Sequence, residues 1–348
     1  MSRRTGLFSE LEFQQELDRI KQEYRSNLDL WQRTNSLREA NVRRSRSDYV
    51  EKELATDDTR SERVVRPAIE EAGATSNLGD AIKRLNALTG LKAVKEQVQD
   101  LVAFVQVQKA RDELGIDTPR LTKHLVFTGN PGTGKTTVAR IIGQIYCALG
   151  MLDKPDVVEV DRSGLVGGYV GQTALKTSEV IKRAIGGTLF IDEAYTLSTG
   201  GEHDFGREAV DTLLKAMEDR RDDLLVIVAG YTKEMDVFLT VNPGLRSRFS
   251  TRIHFDDYTV DELMEIWDRQ LESFEYRMTS AIQDNLKAQL HEHLSRKQPN
   301  FANARFMRNL FEKTVKAHAR RVSCSTSLGR DALCRIECED IEAAFKQM

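Results

Sequence analysis

Residues 124–136 read HLVFTGNPGTGKT. A short apolar run suited to a buried strand gives way to Gly129, Asn130, Pro131, Gly132, Thr133 and Gly134. The turn then ends on Lys135, Thr136 and Thr137, where apolar residues begin to recur at helical spacing. Glycine admits positive φ and close backbone approach, so successive N–H groups in such a loop converge on an anion. The helix expected over about 136–149 points its positive end at the same place. In the spacing Gly129-x4-Gly134-Lys135-Thr136, the lysine reaches the β and γ phosphates of a nucleotide and the threonine hydroxyl ligates Mg2+. An ordinary Gly-rich turn is the plainer reading, but a strand before and a helix after favour the phosphate loop.

A phosphate cradle alone binds without hydrolysing. The stretch GGTLFIDEAY at 186–195 supplies a second half, a buried strand that delivers two adjacent carboxylates to its C-terminal end. Asp192 is expected to hold the metal, and Glu193 to orient and polarise an attacking water. NPGLRSRF at 242–249 adds Arg246 and Arg248. They are read either as surface cations paired with acids of their own chain, or as groups projecting onto a neighbouring subunit's nucleotide to stabilise transferring phosphate.

The chain has 348 residues, room for two or three domains. Its net charge of −3 with 30% charged residues argues neither for nor against nucleic acid, which is not expected among the partners. No apolar run approaches the roughly 20 residues of a membrane helix, and the polar N-terminus does not read as a signal peptide, so a soluble, cytoplasmic protein is expected. Cys147, Cys324, Cys334 and Cys338 are too scattered for a disulfide framework. Cys334-x3-Cys338 lacks a second pair, and reduced structural thiols are the reading adopted over zinc.

Residues 1–80 carry dense mixed charge, and Phe13, Leu17, Ile20, Tyr24 and Trp31 fall at alternating spacings of four and three, with Asn27 at the missing seam position, which predicts one amphipathic helix followed by a flexible linker. From Leu85 the pattern alternates, with strands expected near 124–128, 157–161, 188–192, 224–229 and 251–255 and helices between them. Such alternation builds a parallel sheet covered on both faces. After Asp257 only helical patterns remain, near 260–275, 279–297, 302–321 and 339–347. The expected division is therefore 1–80, an α/β domain over 81–257, and a helical domain over 258–348.

The strand, TGNPGTGKT, FIDEA, GLRSRF and the helical segment FANARFMRN together resemble the AAA+ ATPases. LVGGYVGQTALKT, GGTLFIDEAYTL and NPGLRSRF are most similar to the branch holding the sporulation protein SpoVK, the red-type rubisco activase CbbX and the ATPase domain of the secretion protein EccA. The resemblance implies a P-loop NTPase fold, a five-stranded parallel αβα sandwich with an all-helical lid, using ATP and Mg2+. It implies a homo-hexameric ring with nucleotide between neighbours, acting on a protein client. Tyr169-Val170-Gly171 matches the family's pore loop, Arg305 its lid arginine with Arg308 one turn on, and Gly90-Leu91 its adenine-side stretch. Where many members place a polar sensor at the end of the fourth strand, this chain has Tyr231, with Thr232 as a substitute. The function implied is an ATP-hydrolysing, pore-loop-threading remodelling motor. Rubisco activation is one alternative, although VDRSGLVGGYVGQTALKT departs from red-type activases. A slow nucleotide-switched scaffold is another.

Overall fold

The computed structural model describes residues 77–117, 122–169, 171–200, 204–295, 300–323 and 329–348. The amphipathic stripe expected at 13–31, together with Val170 and Cys324, lies outside the described residues.

Five parallel strands form one sheet: β1 (Leu125–Gly129), β2 (Val157–Val160), β3 (Thr188–Ile191), β4 (Leu225–Gly230) and β5 (Thr251–Phe255), in the order β2-β3-β4-β1-β5. Every residue of β1, β3 and β4 is buried, because helices cover both faces of these inner strands, and their sequences are accordingly continuous apolar runs. The edge strands β2 and β5 are partly exposed. The chain leaves β1 and re-enters the sheet at the far edge, at β2, with β4 and β3 lying between, so the order reverses beside β1. In an open parallel sheet the crevice outside the carboxyl ends at such a reversal is where ligands bind.

The helices in chain order are α1 (Leu78–Ala87), α2 (Lys92–Glu113), α3 (Lys135–Ala148), α4 (Arg162–Leu165), α5 (Gln172–Ala184), α6 (Gly206–Asp219), α7 (Thr232–Val241) and α8 (Pro243–Arg248), with a 3-10 turn at Ala194–Ser198. The lid adds α9 (Val260–Ser273), α10 (Ser280–Ser295), α11 (Asn303–Ser323), α12 (Arg330–Cys334) and α13 (Cys338–Phe345). The main expected helices and all five strands are present. The body begins earlier than the pattern change at Leu85, because α1 opens at Leu78 with the Asn77 side chain accepting from the Gly79 N–H at 3.1 Å. The helices α4, α8 and α12 were not expected, being too short to display a helical period.

Alternate residues of the inner strands feed two apolar cores, one on each face. Leu125, Phe127, Ile227 and Ile253 lie in the core with α1, α2 and α3. That core continues without a break through Phe255, Tyr258 and Leu263 to Trp267 and Phe311 of the lid. Val126, Ile191, Val226 and Val228 lie in the other, with α5, α6 and α7. Lid entry is set by a capping box in which the Thr259 hydroxyl accepts from Glu262 N–H and the Glu262 carboxylate accepts from Thr259 N–H. Arg321 clamps buried Asp340 through Nε and Nη2 at 3.0 and 2.8 Å, fastening α11 to α13. Cys334 closes α12 and Cys338 opens α13, both as free thiols.

Candidate nucleotide site

A cleft of about 340 Å³ opens at the carboxyl ends of β1, β3 and β4. Four elements line it: the loop from β1 to α3 (Gly129, Pro131, Gly132, Gly134, Lys135, Thr136, Thr137), the end of β3 (Asp192, Glu193), the end of β4 (Gly230, Tyr231) and the first turns of α11 (Ala304, Arg305, Arg308).

The loop's shape comes from its glycines. Gly129, Gly132 and Gly134 have φ of 144°, 72° and 96°, all in the region that L side chains rarely adopt. A side chain at Gly129 would also collide with the Phe255 carbonyl, and one at Gly132 with that of Ala302. Gly134 is the N-cap of α3 and offers no side-chain cap. Among the described residues, the N–H groups of Gly132, Thr133 and Gly134 have no acceptor. Uncapped donors at the positive end of a helix fit a phosphate chain.

Lys135 Nζ donates to the carbonyls of Gly129 and Asn130 at 2.8 and 2.7 Å. Among the described residues it has no ion pair. Burial lowers its pKa, with Asp192 opposing that shift, so the ammonium sits partly desolvated on neutral tethers. Thr133 is fully buried, and its hydroxyl braces the loop by donating to Asn130 O at 2.8 Å.

Glu193 has φ 47°, a left-handed conformation that costs a non-glycine residue about 1–2 kcal/mol. It is held there by its neighbours: Asp192 Oδ1 accepts its N–H at 3.0 Å, and its carbonyl accepts from Thr196 N and Oγ1 at 2.9 and 2.7 Å. The turn leaves Asp192 half-buried and Glu193 exposed, both facing the cleft. Gly230 must lack a side chain because a Cβ would lie 2.7 Å from Tyr195 Cδ1. The rings of Tyr195 and Tyr231 are 6.0 Å apart, and burial raises the Tyr195 pKa to about 12. Of the two sensor candidates, Tyr231 lines the cleft, and Thr232 begins α7 behind it.

Other expected residues fall elsewhere. Gly90 packs on Glu262 and Tyr258 of the lid entry, and Leu91 Cδ1 lies 3.6 Å from where a Gly134 Cβ would stand. Neither lines the cleft. The Asn130 side chain turns away to donate to both oxygens of Asp257 at 2.9 Å. Arg248 donates from Nη2 to Glu218 at 3.2 Å and from Nη1 to Gly244 O at 3.4 Å, whereas Arg246 is exposed, and neither lines this chain's cleft. Tyr169 is 75% exposed, away from the cleft, on the connection into α5, and Gly171 caps that helix with φ 79°. Asp257, Tyr258 and Asn303, which join the lid to the loop, were not singled out in the sequence, since no local spacing marks them.

A strand-loop-helix phosphate cradle facing paired carboxylates, with lid arginines across the opening, defines the nucleotide-hydrolysing class. The sequence profile of the "ATPase family associated with various cellular activities (AAA)" matches residues 125–257, and that of the AAA lid domain matches 259–348. The chain is 44% identical to stage V sporulation protein K of Bacillus subtilis (strain 168), covering 74% of this chain and 81% of that one. It is also 44% identical to protein CbbX of Cereibacter sphaeroides, covering 80% and 90%. The crystal structure of the FIGL-1 AAA domain is similar in fold, with TM-score 0.53 at 18% identity over 75% of this chain and 82% of that one. The protein belongs to the AAA family and is an ATP-hydrolysing enzyme. Among the described residues no helix is long and apolar enough to cross a membrane.

Proposed function

We propose that the protein is a ring-forming, ATP-driven motor that remodels a protein client, with Tyr169 gripping it. The observation that carries this reading is the bracing of the Tyr169 loop to the hydrolytic side of the sheet. Arg162, at the start of α4 below that loop, donates to Thr196 O just past Glu193 and pairs with Asp204 ahead of α6. Lys176 Nζ donates to Ser163 O and Val166 O at 2.6 and 3.1 Å, and Gly167 N–H donates to Thr173 Oγ1 at 3.0 Å. A change at Glu193 therefore has a short, hydrogen-bonded route to an exposed aromatic ring. Aromatic and branched groups hold an extended chain without reading its sequence.

In the cleft, Lys135 and the loop N–H groups bind phosphate, Thr136 and Asp192 hold the metal, and Glu193 orients water beside Tyr231. Mg2+ held there by Thr136 and Asp192 would supply positive charge against the phosphate oxygens. Arg305 and Arg308 contact phosphate from the lid, and Arg248 or Arg246 acts on the neighbouring subunit's nucleotide. That last role requires self-association, since neither arginine lines its own chain's cleft, and a homo-hexamer is the form proposed.

The test uses Glu193→Gln to trap ATP and client together, then compares client-stimulated ATPase and client remodelling in wild type and Tyr169→Ala. Loss of stimulation with retained ATP binding is expected. Undiminished remodelling by Tyr169→Ala would move a nucleotide-switched scaffold to first place.

A further inference from the structure

Asn303 occupies an unusual position. It is fully buried, opens α11, and has φ 48°, a conformation that few non-glycine residues hold. Its Oδ1 accepts the Tyr258 N–H at 2.9 Å. Because that backbone group only donates, the opposite side of the amide must be the NH2, and Nδ2 indeed faces three acceptors. These are Asp257 Oδ1 at 2.7 Å, Phe301 O at 2.9 Å and Pro131 O at 3.3 Å. One side chain thus touches the phosphate loop, the connection from β5 into the lid, and the turn that launches the helix bearing Arg305 and Arg308.

The surrounding contacts leave the loop and the lid little freedom to move separately. Ala304 N–H donates to Gly132 O at 3.2 Å, and any Cβ on Gly132 would strike the Ala302 carbonyl. Asp257, bound by Asn303, also receives both bonds from Asn130. The Tyr258 hydroxyl donates to Thr133 O at 3.3 Å. A buried amide with every hydrogen-bonding group engaged, on a left-handed turn that asparagine adopts more readily than other side-chain-bearing residues, fixes both the turn and its partners.

We infer that Asn303 is a positioning residue that ties the angle of the lid to the occupancy of the phosphate loop, and so sets where Arg305 and Arg308 stand when nucleotide is bound. The inference rests on the cleft being the nucleotide site. It also predicts that residues 257–258 respond to nucleotide although neither lines the cleft.

The test is amide hydrogen exchange on the full chain with and without ADP, in wild type and Asn303→Gly. Glycine accepts the positive φ, so this variant removes the side chain without adding backbone strain. In the wild type ADP is expected to slow exchange both in 129–137 and at Tyr258. In Asn303→Gly the loop remains protected by ADP, and the nucleotide-dependent protection at Tyr258 is lost. In the same variant kcat falls by roughly tenfold, inside the about 10²-fold that a misplacement of about 1 Å costs, with a smaller change in KM. Because Asn303 Oδ1 is itself the acceptor of the Tyr258 N–H, kcat per folded site decides in this variant: a merely structural residue would lower the melting temperature and leave kcat per folded site unchanged, and that result would overturn the inference. Should Asn303→Gly fail to fold, Asn303→Asp decides. It keeps the acceptor for Tyr258 but sets a carboxylate against Asp257, so retained ADP protection at Tyr258 would again overturn the inference. Absence of protection at 129–137 in the wild type removes the nucleotide-site reading, and this one with it.

Discussion

The two faces of the sheet are packed alike and connected differently. On the face built from Phe127, Ile227 and Ile253 the apolar core runs on into the lid through Trp267, which is fully buried with its ring edge-on to Phe311 at 5.5 Å, and on to Ile341. On the face built from Val126, Ile191 and Val228 the core is closed over by α5, α6 and α7, and the polar groups at its margin are the Arg162–Asp204 and Arg248–Glu218 pairs. The first face joins the nucleotide loop to a second domain of the same chain. The second carries groups that point outward. The cleft is thus lined from both domains of the chain, whereas Arg246 and the ring of Tyr169 are exposed outside it.

The largest test of this contrast sits in the cleft. Lys135→Ala is expected to abolish ATP binding, because the lysine neutralises ground-state phosphate charge. Glu193→Gln keeps binding and loses about 10²–10⁴-fold in turnover, since a carboxylate that orients water acts in the transition state. Equilibrium binding and phosphate-release assays on both variants separate the two roles, and equal affinity in the lysine variant would break the assignment.

Next comes the outward-facing side. If Arg248 acts in trans, Arg248→Ala loses up to about 10³–10⁵-fold in hydrolysis, and mixing it with Glu193→Gln chains restores a fraction, because some interfaces then carry both intact groups. Wild-type hydrolysis by Arg248→Ala would transfer the role to exposed Arg246 and leave Arg248 as a brace between α8 and Glu218.

A smaller effect belongs to the opposite end of the sheet from the cleft. His124 Nδ1 accepts the Val226 N–H at 3.1 Å, and burial first, then repulsion from Lys123 and Arg248, lowers its pKa to about 4. The unfolded chain titrates near 6.5, so between these values it binds the extra proton and the native state does not. Stability is therefore expected to fall as pH drops from about 6.5 to about 4, by on the order of 3 kcal/mol. Denaturant melts across that window check this, and His124→Gln should flatten the dependence. An equally steep dependence in the variant would place the acid sensitivity elsewhere.

The smallest expected change is in Tyr169→Ala, whose stability should stay within about 0.5 kcal/mol of the wild type, as for other exposed positions. A larger loss in thermal melts would mean that the ring packs on the body and is not held outward for a partner.

The inner strands were legible as sequence because burial on both faces writes them as unbroken apolar runs, and the loop at 129–136 because its function needs glycines at fixed spacing. The carboxylates at 192–193 were legible for the same reason, being delivered by a strand that must be buried. By contrast, Asn303 meets Asp257 46 residues away and Pro131 172 residues away, distances at which no periodicity operates. Likewise RSR presents two equivalent arginines, and only the placement of α8 beside α6 brings Glu218 to Arg248 and leaves Arg246 in solvent.

The sequence by itself thus determined the fold class, the phosphate loop and the acids facing it, since each depends on residues close together along the chain. Tertiary structure decided which side chains bridge the two domains, that Gly90 packs on the lid entry and Leu91 beside Gly134 without lining the cleft, and that Tyr231 lines the cleft where Thr232 does not. Those outcomes depend on how a twisted parallel sheet brings distant strand ends together, which is a property of the packing as a whole.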